Sequence, residues 1–225
     1  MNVGTFSVSE AFRFGWDTFK RHLGLSIAVV VAGIVPLMLL NGMASAAENS
    51  SRFLSVVLGL VAALVRVLWG FVLLRLGLAL YDGRAVTGQT VRELLPDGPT
   101  FLTYLAVSIL YSLLVAAGLI LLVIPGIYLA VRYGFCEFFV ADRRTASVGE
   151  AFRRSSDITR GERWRLFVLE LALVVLNVLG AMFFGFGLLV TVPLSIFAMV
   201  MVYRRLAART AGEEILVHEP TLAPA

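Results

Sequence analysis

Residues 163–184 read RWRLFVLELALVVLNVLGAMFF: two arginines flank a tryptophan, and the residues after them are apolar except Glu170 and Asn177. A strand of a spanning barrel would need about ten residues of alternating polarity, whereas here leucine and valine fall on every side. A run of roughly 20 apolar residues matches a bilayer core about 30 Å thick. A helix satisfies its own backbone amides in lipid, so the stretch reads as a transmembrane helix entered from a basic side.

Five further windows of this kind lie outward from it, at residues 22–44, 53–81, 101–124, 125–141 and 187–203. The 225 residues are 59% hydrophobic and 15% charged, with a mean hydropathy of +0.89, whereas about a quarter of a soluble domain is charged. The expected fold class is all-α: a polytopic membrane protein of six transmembrane helices. The first window is followed by NGMASAAE, whose small residues resemble a secretory cleavage site, but its length and the preceding Glu10 and Asp17 read as a retained span. One cysteine, Cys136, excludes an intrachain disulfide and reads as a small packing group. The two histidines, His22 and His218, lie far from any ligand set, so neither a metal nor a cofactor is expected.

Lysine and arginine gather in alternate connections. Arg13, Lys20 and Arg21 precede the first span; Arg84 and Arg92 follow the second; Arg143, Arg144, Arg153, Arg154, Arg160, Arg163 and Arg165 lie between the fourth and fifth; Arg204, Arg205 and Arg209 follow the sixth. The other side holds Arg52 alone. The positive-inside rule then places both termini in the cytoplasm. The net charge of +4 reads as topology and contact with anionic lipid headgroups, with no nucleic acid as partner.

Two basic stretches repeat one device. SVSEAFR at residues 7–13 and SVGEAFR at 147–153 each begin with Ser and place Glu three residues on, the pattern of a capping box. Apolar residues recur at helical spacing in both, and Arg13 with Asp17, and Arg153 with Asp157, stand four apart. Both are expected as amphipathic helices in the headgroup plane, anchored by Phe12, Trp16, Phe19, Phe152 and Trp164. Gly161 should end the second, and a weaker third copy spans residues 86–95. The chain thus divides into three helix-plus-hairpin units, about 6–81, 86–141 and 146–203, within one membrane domain of residues 1–209. A mobile cytoplasmic tail of residues 210–225 follows.

The run LLVIPGIYLAVRYGF, followed by EAFRRSSDITRGERWRL, resembles a bacterial family of six-span inner-membrane proteins. That family includes the membrane domain fused to some glycerophosphoryl diester phosphodiesterases. Pro125, Gly126, Arg132, Ala151, Ser155, Thr159, Arg160 and Gly161 carry the resemblance. It implies a multi-pass protein of the bacterial inner membrane. The phosphodiesterase domain has no counterpart here, and its activity does not transfer.

Arg66, Arg75, Arg132, Glu137 and Glu170 fall inside spans, where a charge at mid-helix costs about 2.5–3.5 kcal/mol on insertion scales. At 1.5 Å per residue, Glu137, Arg75, Glu170 and Arg132 lie about 6, 9, 10 and 13 Å from the basic end of their spans. The expectation is a polar cluster of Arg75, Arg132, Glu137 and Glu170 open to the cytoplasm, with ionic glue between helices as the plainer alternative. Arg66 is deeper and unmatched. Pro36 and Pro193 should kink their spans, Pro125 should open the fourth, and Gly24, Ala28 and Ala32 form a ladder of small residues suited to close packing. G-x-S-x-G, H-E-x-x-H and P-loop patterns do not occur, so an enzyme is not expected. Two functions remain: a non-enzymatic membrane-organising or scaffold protein, or a transporter or channel for a small solute or lipid that uses the charged cluster.

Overall fold

Each apolar window folds as helix. A computed structural model describes residues 6–48, 50–84, 94–145, 147–182 and 187–218. Its helices are α1 Val8–Arg21, α2 Leu23–Ala47, α3 Arg52–Tyr81, α4 Gly98–Leu121, α5 Val123–Tyr133, α6 Cys136–Ala141, α7 Val148–Ile158, α8 Arg163–Met182 and α9 Leu188–His218. No strand occurs among the described residues. Six stretches are long and apolar enough to cross a membrane: α2, α3, α4, α5 with α6 as Val123–Ala141, α8, and α9 as far as Ala211.

The spans pair as hairpins, α2 with α3, α4 with α5, and α8 with α9. Helices associate closely in lipid where small residues let backbones meet. A Cβ on Gly118 of α4 would stand 2.8 Å from the Gly126 Cα of α5, and one on Gly33 of α2 would lie inside the Trp69 indole of α3. That indole donates to the Val29 carbonyl at 3.2 Å. The expected small-residue ladder is corrected here. Gly24, Ala28 and Ala32 are exposed, and α2 instead turns Ser26, Val30 and Gly33 inward. Pro36 and Pro193 lie inside continuous helices, and Pro125 is the third residue of α5, after an extended Leu122.

Helix α9 is the hub, packed by α1, α2, α3, α7 and α8. Tyr203, Leu206, Val200 and Val202 on α9 are fully buried with Phe71, Phe135, Leu166 and Leu169. The expected start points of the amphipathic helices hold, with Ser7 and Ser147 as extended N-cap residues. Neither capping box forms in full, although Glu10 still accepts from the Ser7 amide. Neither serine hydroxyl caps its helix; Ser7 Oγ pairs with Ser9 Oγ at 2.8 Å, Glu10 is taken by Arg205, and Glu150 by Thr145 and Arg154. The i, i+4 pairs shift too, to Lys20–Asp17 and Arg160–Asp157.

The placement of α1 also differs from expectation. Glu10 meets Arg205, while a Cβ on Gly15 would stand 2.7 Å from the Leu194 carbonyl and 3.4 Å from the Ala198 amide. Helix α1 therefore runs antiparallel along α9, and its apolar face is spent on protein. Phe19, expected at the acyl boundary, is 3% exposed. The third amphipathic copy lies outside the described residues except for Leu94 and Leu95. Helix α9 continues through Thr210 to His218, into the stretch expected as a mobile tail; residues 219–225 lie outside the described residues.

Candidate functional site

Three of the residues that carried the family resemblance, Arg132, Ser155 and Thr159, meet at a helix break. Gly134 and Phe135 separate α5 from α6, so the ladder between Arg132 and Phe135 opens. Ser155 of α7 fills the opening: its hydroxyl donates to the Arg132 carbonyl at 3.1 Å and accepts from the Phe135 amide at 3.1 Å. Thr159 donates to the same carbonyl at 3.3 Å. Ser155 and Thr159 are fully buried, which meets the requirement that freed backbone groups in an apolar interior find partners. Gly161, at φ +85°, turns the chain from α7 into α8.

The four intramembrane charges do not form one cluster. Arg132 donates through Nε to Ser156 Oγ at 2.9 Å and lies over the Tyr133 ring. Glu137 accepts from Ser108 at 2.7 Å and from Tyr104 at 3.2 Å, both on α4. Glu170 has no hydrogen-bond or ionic partner among the described residues; its Oε1 would sit 3.2 Å from a Cβ on Gly134. Arg75 lies over the Phe71 ring and opens toward the basic end. Arg66 is on an exposed face of α3. Of the expected anchors, Phe12 and Phe152 are half-buried, the latter edge-on to Tyr133. Trp16 is exposed beside Lys20, and Trp164 is 75% exposed beside Phe167.

The charged centre lies at the helix ends. Helices α3 and α6 finish in matching turns, Asp82-Gly83-Arg84 and Asp142-Arg143-Arg144. In each, the Asp amide bonds back four residues, to Leu78 or Phe138, and the last amide bonds back five, to Ala79 or Phe139. The central residue is left-handed, Gly83 at φ +70° and Arg143 at φ +55°. This is a Schellman-type cap, whose left-handed position favours glycine. Arg204 of the third unit joins the two turns, with Nη2 on Asp82 at 2.7 Å and Nη1 on Asp142 at 2.9 Å. Asp142 also receives Arg144 Nε at 2.5 Å and the Tyr203 hydroxyl at 3.1 Å.

Asp82, Asp142 and Arg204 line a cavity of about 340 Å³ with Arg75, Leu78, Ala79, Arg84, Leu94, Ala141 and Arg143. Arg143 is shared with a neighbouring hollow that also holds Asp97, Arg144 and Glu150, and it pairs with Asp97 at 3.3 Å. Three carboxylates outside the spans are held below their usual range: Asp97 by Thr100, Glu150 by Thr145 and then Arg154, and Glu10 by Arg205. Screening for charges inside spans picked out Arg75 and overlooked Asp82, Asp142 and Arg204. The recurring Asp-x-Arg after the second and fourth spans was the available signal. No group of three metal-ligating side chains occurs among the described residues.

A family profile described as "Protein of unknown function (DUF975)" matches residues 55–210, which takes in the helix break and every cavity residue. No curated protein and no solved structure matches the chain.

Proposed function

We propose, from the premise that the chain belongs to the DUF975 family of proteins of unknown function, that it is a non-enzymatic integral membrane protein that organises the membrane surface through its basic end. One observation carries this reading: Arg132 and Glu137 are each tied to a neighbouring helix by side-chain hydrogen bonds rather than strung along a path. That is the arrangement of polar glue between helices, made with hydroxyls in place of ion pairs. The membrane is the bacterial inner membrane, with both termini in the cytoplasm and the arginines of α7 and its flanks facing anionic headgroups. The resemblance to the membrane domain of glycerophosphoryl diester phosphodiesterases rests on the sequence pattern alone, since the family match is to DUF975, and it would suit such an accessory role.

A transport reading keeps one observation in its favour, the unpartnered Glu170 beside Gly134. Flux of small ions and of labelled lipid in reconstituted vesicles separates the two. Flux equal to that of empty vesicles is expected; protein-dependent flux abolished by Glu170→Gln would replace this reading with transport. Single cysteines at Ser9 and Ser147 should react only with reagent admitted to the cytoplasm.

A further inference from the structure

The geometry points to a binding site for a phosphate-bearing anion in the cavity between the two Asp-x-Arg turns, with Arg75, Arg84 and Arg143 as its cationic wall. The charges there do not balance. Arg75, Arg84, Arg143 and Arg204 face two carboxylates, Asp82 and Asp142, and Asp97 in the neighbouring hollow reaches Arg143 alone, at 3.3 Å. Both carboxylates are already committed to Arg204, and Asp142 also to Arg144 and Tyr203. Arg75 and Arg84 make no ion pair or hydrogen bond with a carboxylate among the described residues, and Arg75 feels Asp142 and Asp97 only at longer range. Arg75 Nη1 and Arg204 Nε are in addition buried with no acceptor, although a buried donor without a partner is costly. A ligand oxyanion supplies what is missing.

The backbone argues for the side chain at position 143. The first turn places Gly83 at its left-handed residue, whereas the second places an arginine at φ +55°. A left-handed residue with a Cβ is strained, and such strain persists where a side chain is needed. Arginine suits phosphate because its planar fork donates two parallel hydrogen bonds.

Position sets the ligand class. Arg75, Leu78, Ala79 and Asp82 share one face of α3, so the cavity runs from the helix end about 9 Å into the span. Its apolar part is Leu78, Ala79, Leu94 and Ala141. A phosphate group with an organic substituent fits that division, whether it belongs to an anionic lipid or to a soluble phosphate ester.

The inference is independent of whether the protein transports anything, and its test reads binding, not flux. The full chain, purified and delipidated in a neutral detergent, is titrated with inorganic phosphate against chloride of matched ionic strength, and separately with short-chain phosphatidylglycerol against phosphatidylcholine. Thermal unfolding reports occupancy. Wild type should be stabilised by phosphate, by phosphatidylglycerol or by both, and Arg75→Gln/Arg84→Gln should bind at least about tenfold more weakly, the loss of one charge-assisted contact or more. Arg13→Gln, exposed on α1, should bind as wild type does. Stabilisation by phosphatidylglycerol alone assigns a lipid headgroup; stabilisation by inorganic phosphate that competes with the lipid assigns a soluble ester. If the double variant proves unstable, Arg84→Gln alone, at an exposed turn, carries the comparison. Affinity unchanged in these variants, or no stabilisation by either probe, would overturn the site.

Discussion

The two ends of the helices are built differently. At the basic end Tyr203 stacks with Phe135, Phe138 and Phe139 and is fully buried with Leu166 and Leu206, packing like the core of a soluble domain. At the other end Met38 is 70% exposed, Phe53 80% and Ile120 87%. Lipid is an equally good neighbour for such side chains, so little is gained there by protein contact. The chain spends its specific packing where water, headgroups and charge meet, and leaves the far halves of its hairpins to the bilayer.

The contrast can be broken most directly by truncation. Tyr203→Ala empties the aromatic cluster and strands Asp142 without its phenol donor, so it should cost about 4 kcal/mol, read as the unfolding midpoint in detergent or bicelles. Met38→Ala, on a face left to lipid, should cost less than about 0.5 kcal/mol. Equal effects would mean that the exposed end has a protein partner. Gly33→Ala comes next. Its Cβ must displace the Trp69 indole and with it the bond to Val29, at about 2 kcal/mol for overpacking. Gly24→Ala, with open space around it, should be neutral.

These residues also mark how much could be read from sequence. Hydropathy located all six spans because a bilayer demands an apolar length, and composition reports length well. It did not report rotation about the helix axis. Gly24, Ala28 and Ala32 looked like a packing face, yet Ser26, Val30 and Gly33 turned inward. The same limit dispersed the expected charge cluster. Depth along three spans placed Arg75, Arg132, Glu137 and Glu170 at similar levels, but Arg132 faces α7 and Glu137 faces α4. The caps failed for another reason. Glu10 was expected to serve a local amide alone, and it is shared between the Ser7 amide and an arginine 195 positions away. The cavity aspartates were overlooked because they sit just past the span ends, where a charge carries no insertion cost and attracts no notice.

The two acidic residues inside the spans sharpen the comparison at smaller scale. Glu137→Ala leaves the Ser108 and Tyr104 hydroxyls without their acceptor and should destabilise by about 2 kcal/mol. Glu170→Gln removes a carboxylate that no described residue partners and should leave the unfolding midpoint unchanged or raised. A loss at Glu170 matching that at Glu137 would assign it an unseen structural partner and weaken the transport reading further.

The smallest effect concerns the seam that holds α1 to the basic end. Arg205 grips Glu10 with both Nη groups, Nη1 on Oε2 at 2.7 Å and Nη2 on Oε1 at 2.5 Å, in partly exposed positions, so the pair is worth a few tenths of a kcal/mol. Those hydrogen bonds hold the Glu10 carboxyl below its usual range. A carboxylate depressed on folding contributes stability above its unfolded value of about 4.3, and that contribution fades as pH falls through the lower folded value. Amide exchange of α1, corrected for its intrinsic pH dependence, should therefore quicken between pH 5 and about pH 3 in wild type. Glu10→Gln should exchange faster at neutral pH and lose that part of the pH response. Because Asp97 and Glu150 are depressed as well, it is the difference between wild type and variant that isolates this contact. A variant that keeps the full acid response would show that α1 is held by Gly15 against Leu194 and Ala198, with the ion pair contributing nothing to the seam.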